Sequence, residues 1–373
     1  MNRGHPDAGQ SARRELSPEQ EISLYESELA ARIGVEHVVA TSSGTTALHT
    51  ALYAAGVGPG DEVLVPALTV VMTAAPVVAL GARPVVVDSD PAGTGLDHDD
   101  VLSKIGPRTR AVLPVLLWGR ADPWAQRLRA LAADHGLAVI VDAAQALGTT
   151  WTDGQAGVPA HAVCFSTHSS KILATGEGGF LGTDDPQLAA RARAYRSHWL
   201  PPPPGEAPLA RAAHNFRLAA PLAEIGRRRL THLDELVARR RARTASLDRL
   251  LADAPALRAV PADDGWNGYA PLYRLDLARP RAFCEHLAAC GVANSTGTFG
   301  LVPLDQRPAY TDLRHAPCRQ AAAVLDATLA LALPNTPDVP HIRDDADALD
   351  GPAAADLRQL ADTITREAAR WAV

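Results

Sequence analysis

Short apolar runs alternate with helical segments through the first half of the chain, and this alternation limits the fold more than any other feature. The runs are almost continuously apolar: EHVVAT, DEVLVPA, RPVVVDS, RAVLPVLLW, LAVIVDAA, AVCFST and GGFLGT. Such runs are typical of strands that are buried on both faces of a largely parallel sheet. Helical patterns such as TTALHTALYAAG and DPWAQRLRALAADHG separate them. The sequence therefore predicts an α/β fold with a mainly parallel, seven-stranded sheet.

The character of the chain changes after about residue 183. DDPQLAARARAYR predicts a helix, LPPPPGEAPLA is too rich in proline for regular structure, and a long helical pattern follows from about Leu218 to Asp253. We interpret that pattern as the connection to a smaller α+β domain with APLYRLDL, the helix PRAFCEHLAACG and a C-terminal helix near residues 353–371. The predicted organisation is a flexible N-terminal segment (1–16), a large domain (17–235) and a small C-terminal domain (236–373).

The first predicted helix has a recognisable start. Ser17 is the expected N-cap, Pro18 the first helical residue and Gln20 the third, which completes a capping box. The helical pattern then continues to about Ile33.

Charge and composition offer no support for nucleic-acid or membrane binding. The formal net charge is −6, and no apolar run approaches the length of a membrane helix. The basic run from Arg227 to Arg243 is interleaved with Leu, Val and Asp at helical spacing, which favours a solvated helix face over a binding patch.

The four cysteines lack the paired short spacing of a zinc site, so we expect no metal. We find no signal peptide, and free thiols in the cytoplasm are the simplest interpretation.

Lysine is nearly absent from the sequence, which makes the position of each lysine informative. Of the 36 Lys and Arg residues, only Lys104 and Lys171 are lysines. Lys171 lies in FSTHSSKILATGEGG, just after a predicted strand and beside Gly176, Gly178 and Gly179, which allow a tight turn. An amine can attack a carbonyl and form an imine, whereas a guanidinium cannot. Lys171 is therefore a candidate imine-forming residue, with an ordinary solvated lysine as the alternative.

The ends of two other predicted strands also have residues that could bind a ligand. In TSSGTTALHTAL a helix begins directly after a strand, so its free N–H groups and the hydroxyls of Thr45 and Thr46, next to Gly44, could bind an anion. A plain N-cap is the alternative. In VIVDAAQALG, Asp142 ends a buried strand and could pair with a protonated ring nitrogen, or else cap a following helix.

An anion site, a carboxylate for a pyridinium nitrogen and an imine-forming lysine are the set that pyridoxal 5′-phosphate requires. The order of these motifs and their amino-acid sequences also resemble those of the DegT/DnrJ/EryC1/StrS family of sugar and aminocyclitol aminotransferases, which have the aspartate-aminotransferase (type I) fold. The resemblance covers nearly the whole chain, from YESELAARIGVEHVVATSSGTTALHTAL through GDEVLVPALTV, GARPVVVDSD, DAAQALG and FSTHSSKILATGEGGF to HNFRL.

The resemblance implies a role for each matching residue. Lys171 would hold the cofactor as a Schiff base and move protons, while Asp142 would pair with the pyridine nitrogen. The other implied contacts are Gln145 with the phenolic oxygen of the ring, and Gly44, Thr45, Thr46 and Ser166 with the phosphate. Asn215, in HNFRL, would reach the phosphate of the neighbouring subunit, which implies a homodimer with composite active sites.

Two residues near the expected site leave alternatives open. The family usually has an aromatic residue stacked on the cofactor ring, but PALTV offers Val70, so a contact worth about 0.5–1.5 kcal/mol would be lost. Val70 could instead be ordinary core. His168 is close enough in sequence to Ser166 to touch substrate, although a polar loop histidine is the simpler interpretation.

The expected activity is amino transfer from glutamate or glutamine to a keto-sugar, keto-cyclitol or related ketone, in the biosynthesis of a specialised metabolite. One alternative is a dehydratase or other lyase of the same family. Family members of the dehydratase kind replace the lysine with histidine, so the retained Lys171 argues against it. A non-catalytic regulatory member is a second alternative, which Asp142 and Lys171 together argue against.

Overall fold

A computed structural model describes residues 16–93, 95–121, 125–150, 160–310, 317–334 and 352–372. The predicted flexible segment therefore lies, except for Leu16, outside the described residues. The helices are α1 Pro18–Ile33, α2 Gly44–Ala54, α3 Val71–Ala79, α4 His98–Lys104, α5 Ala125–Asp134, α6 Pro186–Arg196, α7 Ala220–Leu230, α8 Leu233–Leu250, α9 Pro280–Ala289, α10 Arg319–Asp326 and α11 Pro352–Trp371. The strands are β1 His37–Thr41, β2 Glu62–Pro66, β3 Arg83–Val87, β4 Thr109–Val112, β5 Ala138–Asp142, β6 Ala162–Ser166, β7 Gly179–Thr183, β8 Leu257–Ala259, β9 Leu272–Leu275 and β10 Thr328–Ala330.

The larger sheet of the described chain has seven strands in the order β1-β7-β6-β5-β4-β2-β3. Its neighbours are parallel except for β7, which pairs antiparallel with β1 and β6. Along β2, Val63 and Val65 pack into the core on one face of the sheet and Leu64 into the core on the other. All three are fully buried. The continuous apolar runs are thus strands covered on both faces, and the predicted fold class is confirmed.

The fourth strand is shorter than the run RAVLPVLLW predicts. It ends at Val112, and the later part of the run forms a short 3₁₀ turn at Leu117–Gly119. Pro114 has no N–H group to donate to a neighbouring strand, which favours an early end to the pairing. Within the turn Trp118 adopts a left-handed backbone conformation, with φ of 60°.

Helix α1 begins as predicted. The Gln20 N–H donates to the Ser17 hydroxyl (3.2 Å), and the Ser17 N–H donates to the Gln20 side chain (2.9 Å). This capping box satisfies two backbone donors that would otherwise lack partners at the helix start.

The long helix that we expected from about residue 218 to 253 is broken. It consists of α7 and α8, and the chain turns between them at Thr231 and His232. The Thr231 hydroxyl donates to the Arg228 carbonyl (2.8 Å), a side-chain bond that competes with continued helix.

The basic run on these helices is not a uniformly solvated face. Arg227 pairs with Glu21 (2.9 Å) and Glu28 (2.7 Å) of α1, and Arg240 is buried. The prediction of a solvated helix face was therefore wrong for these two arginines, because α7 and α8 turn them towards the protein.

The C-terminal part has a separate sheet and core. Strands β10, β9 and β8 form an antiparallel sheet, and α8, α9 and α11 contribute to the same apolar cluster. The division at residue 235 falls within the first turn of α8 and stays a prediction. In the described part of the chain, no helix is both long and apolar enough to span a bilayer. The four cysteines are free thiols, as predicted.

Candidate active site

The ends of several strands meet at one edge of the large sheet. Strands β1, β2, β4, β5 and β6 all point the same way, so their carboxyl ends share this edge. Gly179, at the start of β7, pairs with Thr41 at the end of β1 and with Ser166 at the end of β6. Ligands of α/β proteins bind outside the carboxyl ends of such strands. The strand-end residues predicted from sequence are therefore gathered into one region.

The start of α2 forms a capping box, which is the N-cap alternative, and anion binding at this helix start stays a prediction. The Thr46 N–H donates to the Ser43 hydroxyl (3.1 Å), and the Ser43 N–H donates to the Thr46 hydroxyl (2.9 Å). The Thr46 hydroxyl is thus engaged in the cap itself. The first N–H groups of a helix have no partner inside the helix, so those of Gly44 and Thr45 are suited to a phosphate.

Gly44 packs directly against the end of β6. A Cβ atom at this position would lie 2.8 Å from the Cβ of Ser166, closer than real Cβ contacts allow. Gly179 is equally confined, since its Cβ would lie 2.5 Å from the Gly44 nitrogen. The glycines therefore let the helix start approach Ser166, which brings two predicted phosphate contacts together.

We expect Gly44→Ala to lower the free energy of unfolding by about 1–3 kcal/mol, because the new methyl group would force α2 away from β6. The same displacement should weaken retention of the cofactor. Gly58→Ala is the matched control, since its added Cβ would meet nothing within 4 Å. Chemical denaturation and dialysis of the loaded protein would measure both effects, and equal behaviour of the two variants would contradict the close approach.

Lys171 lies near the tip of a narrow hairpin between β6 and β7. Thr167 donates its N–H to the Gly178 carbonyl (2.9 Å), and Ser169 donates to the Gly176 carbonyl (2.8 Å). Gly178 has φ of 144°, and a Cβ there would lie 2.5 Å from the Thr167 hydroxyl. The glycines predicted to permit a tight turn thus allow the two sides of the hairpin that contains Lys171 to approach closely.

His168 is bound within this same loop. Its ring nitrogens lie 3.0 Å from the Ser170 hydroxyl and 3.7 Å from the Glu177 carboxylate, and its side chain is half exposed. These contacts describe a polar loop histidine, and contact with substrate stays a prediction.

Asp142 is buried at the end of β5, with 4% of its surface exposed. Its carboxylate accepts hydrogen bonds from the Thr73 hydroxyl (2.7 Å) and the Ala144 N–H (3.1 Å). Burial raises the pKa of this carboxyl group, while the bonds from Thr73 and Ala144 and the charge of Lys171 oppose the rise. Residues 143–150 contain no helix, so the alternative that Asp142 caps a following helix was wrong.

The orientation of the Gln145 side chain is fixed by the turn after β4. Its Oε1 accepts a hydrogen bond from the Trp118 N–H at 2.6 Å. The left-handed conformation of Trp118 directs that N–H towards Gln145. The amide NH₂ of Gln145 is thereby left as the end that can donate to an acidic oxygen, which suits the predicted contact with the phenolic oxygen of the ring.

Val70 and Asn215 have clear positions but untested roles. Val70 is half-buried between the end of β2 and the start of α3, next to Thr69, whose hydroxyl bonds to Thr73 (2.8 Å). Asn215 is exposed, and the carbonyl of the following Phe216 accepts the Ser42 N–H (2.8 Å) near the start of α2.

Sequence reasoning missed three residues of the site. Thr73 binds Asp142, Trp118 binds Gln145, and the Tyr269 hydroxyl lies 3.3 Å from the Lys171 amine. Thr69 lies just before α3 and Thr73 in its first turn, and their spacing of four residues could have indicated that the two hydroxyls meet. No local signal marks Tyr269, which is 98 residues from Lys171.

Comparison with known proteins gives the family. Residues 12–344 match the model of the DegT/DnrJ/EryC1/StrS aminotransferase family. The chain belongs to this family. The resemblance that the motifs carried is confirmed, and with it the enzyme class, an aminotransferase dependent on pyridoxal phosphate.

Individual relatives agree with this assignment. The GDP-perosamine synthase of Caulobacter vibrioides is 39% identical over 59% of this chain and 58% of its own length. The dTDP-3-amino-3,4,6-trideoxy-alpha-D-glucose transaminase of Streptomyces venezuelae is 37% identical over 80% of this chain and 77% of its own. A crystal structure of DesI with its TDP-sugar product is 31% identical, with a TM-score of 0.80 over 94% of this chain and 86% of that one.

The residues present fit the cofactor. The carboxylate buried at the end of β5 is suited to a cationic ring nitrogen, and the N–H groups at the start of α2, which Gly44 lets approach Ser166, are suited to a phosphate. Lys171, whose charge acts on Asp142, is within reach of the same region.

Proposed function

We propose that this enzyme transfers an amino group from glutamate or glutamine to the ketone of a nucleotide-linked keto-sugar, in the biosynthesis of a specialised metabolite. The observation that carries the proposal is the placement of Lys171, one of two lysines in the chain, within electrostatic reach of the buried Asp142. The names of the relatives, which refer to GDP-linked and dTDP-linked amino sugars, support the acceptor class.

Each residue has a defined task in this proposal. Bound pyridoxal phosphate would supply an electron sink for the carbon that loses a proton. Lys171 would hold the cofactor through its amine and would carry the proton between substrate atoms. The buried Asp142 carboxylate would pair with the ring nitrogen and favour its protonated form.

The remaining residues would orient the bound cofactor. The amide NH₂ of Gln145 would donate to the phenolic oxygen, and Val70 would take the position where the family usually has an aromatic residue. The N–H groups of Gly44 and Thr45 and the Ser166 hydroxyl would hold the phosphate, while the Thr46 hydroxyl stabilises the start of α2.

A spectral and product screen tests the activity. The purified, loaded protein is mixed with single amino acids, and loss of the visible band of the lysine-bound cofactor identifies the donor. Nucleotide-linked keto-sugars and free keto-cyclitols are then offered as acceptors, with the aminated product measured by mass spectrometry. Release of water or ammonia without amine transfer would contradict the proposal and indicate a lyase.

We further propose that the enzyme works in the cytoplasm as a homodimer in which Asn215 completes the phosphate site of the partner subunit. The exposure of the Asn215 side chain supports this, because an exposed amide is available to a second subunit.

Subunit complementation tests this arrangement. Lys171→Ala and Asn215→Ala are each expected to be impaired, but a mixed dimer would contain one site with both intact residues. Random exchange of subunits should therefore restore about a quarter of wild-type activity, since half of the dimers are mixed and each has one good site. No recovery on mixing, with exchange verified by differently tagged subunits, would contradict a shared site.

A further inference from the structure

Tyr269 presents two features to the Lys171 side chain. Its hydroxyl lies 3.3 Å from the lysine nitrogen, and its ring centroid lies 5.1 Å from the same atom. A lysine ammonium can donate to the phenol oxygen and is attracted to the ring face, and a neutral amine can accept from the phenol. The contact can therefore hold the amine in either protonation state.

Asn267, two residues earlier, fixes the segment that carries Tyr269. Its side chain has no exposed surface. The amide NH₂ donates to the carbonyls of Gln145 (2.8 Å) and Leu147 (3.0 Å), and the amide oxygen accepts the Tyr269 N–H (3.0 Å). One buried side chain thus joins the turn that holds Gln145 to the backbone of Tyr269.

The same segment is confined by its other neighbours. A Cβ on Gly119 would lie 2.2 Å from the Asn267 amide oxygen and 2.8 Å from the Tyr269 Cβ, so the turn after β4 packs closely against both. On another side, the buried Arg240 donates to the carbonyls of Tyr269 (3.4 Å) and Leu333 (2.8 Å). These contacts leave Tyr269 little freedom to move away from Lys171.

We infer that Tyr269 is a further site residue that holds the Lys171 amine in line for proton transfer, and that Asn267 is the positioning residue that keeps it there. The inference rests on the proposed role of Lys171. In the step concerned, a C–H bond at the α-carbon of the amino donor breaks as an N–H bond forms on Lys171, and the electron pair stays on the substrate. Tyr269 loses and gains no proton, and its effect is on the position of the amine.

Tyr269→Phe tests this directly, because it keeps the ring and removes only the hydroxyl. With the amino donor that the wild type accepts, we expect kcat to fall about tenfold while the KM for the donor changes little, since one hydrogen bond is lost in the reacting state. The isotope effect of deuterium at the donor α-carbon should rise, because proton transfer becomes slower relative to the other steps. Tyr273→Phe is the control, since that hydroxyl bonds to Asp248 (2.7 Å) and should leave the isotope effect unchanged.

The outcomes separate this inference from the proposed function. If the wild type accepts no amino donor, the proposed function fails. If it turns over and Tyr269→Phe matches its rate and isotope effect, the inference is overturned. Loss of cofactor from Tyr269→Phe with an unchanged isotope effect would also overturn it, because that result describes a purely structural role.

The positioning role of Asn267 is tested in the wild-type enzyme and in the Tyr269→Phe variant. Asn267→Ala should raise the isotope effect in the wild-type background and add nothing in Tyr269→Phe, because both changes act on the same contact. Asn267→Ser, which keeps one donor, replaces it if the alanine variant does not fold. An equal increase in both backgrounds would overturn the positioning role.

Discussion

Lys171→Arg is expected to abolish amino transfer, with kcat at least about 10⁴-fold below the wild-type value. The substitution keeps a positive charge near Asp142, so the loss would follow from the missing amine and not from a change in electrostatics. The variant should also lack the visible band of the lysine-bound cofactor. Steady-state kinetics and an absorption spectrum of the protein loaded with pyridoxal phosphate measure both outcomes.

The scarcity of lysine provides a matched control. Lys104 donates to the Val86 carbonyl (2.8 Å) and to Asp100 (2.6 Å) within the large domain, so Lys104→Arg should keep the visible band and the activity. Borohydride reduction of the loaded wild type should add the cofactor mass to the peptide that contains Lys171. Labelling of Lys104, or activity in Lys171→Arg, would refute the assignment.

Asp142→Asn is expected to lower kcat by about 10³-fold while the protein without cofactor becomes more stable. An amide cannot supply the negative charge that keeps a ring nitrogen protonated. Burial raises the pKa of the Asp142 carboxyl group in the folded state. At a pH above the unfolded-state pKa, the carboxylate is ionised in the unfolded chain, and burying that charge on folding costs free energy. The variant removes this cost.

The difference in stability between Asp142→Asn and the wild type should depend on pH. The stability advantage of Asp142→Asn over the wild type should be present at neutral pH. It should shrink as pH falls through the raised folded-state pKa and disappear below about pH 3, where the carboxyl group is protonated in both states. Thermal denaturation of the cofactor-free proteins between these pH values measures the difference. Asp276→Asn is the control, because its side chain is largely exposed. A variant that is less stable at neutral pH, or that turns over normally, would contradict the role of Asp142.

Local patterns predicted much of the molecule because the forces behind them are local. The capping box at Ser17 and Gln20 involves neighbouring residues, so its spacing in sequence predicts its geometry. The strand pattern followed from burial on both faces, which valine-rich runs indicate without knowledge of the partners. The pattern overestimated the length of two elements, because Pro114 lacks the N–H group that would continue β4 and because the Thr231 side chain bonds to the backbone of α7.

The sequence by itself determined the α/β class, the family, the cofactor and the choice of Lys171 and Asp142 as the reactive pair to test, because each depends on residue chemistry at a strand end. Only the tertiary structure decided which side chains surround that pair. Thr73, Trp118 and Tyr269 come from separate elements. Their contacts depend on strand order and, for Tyr269, on the close approach that Gly119 permits, and neither leaves a periodic signal in the chain.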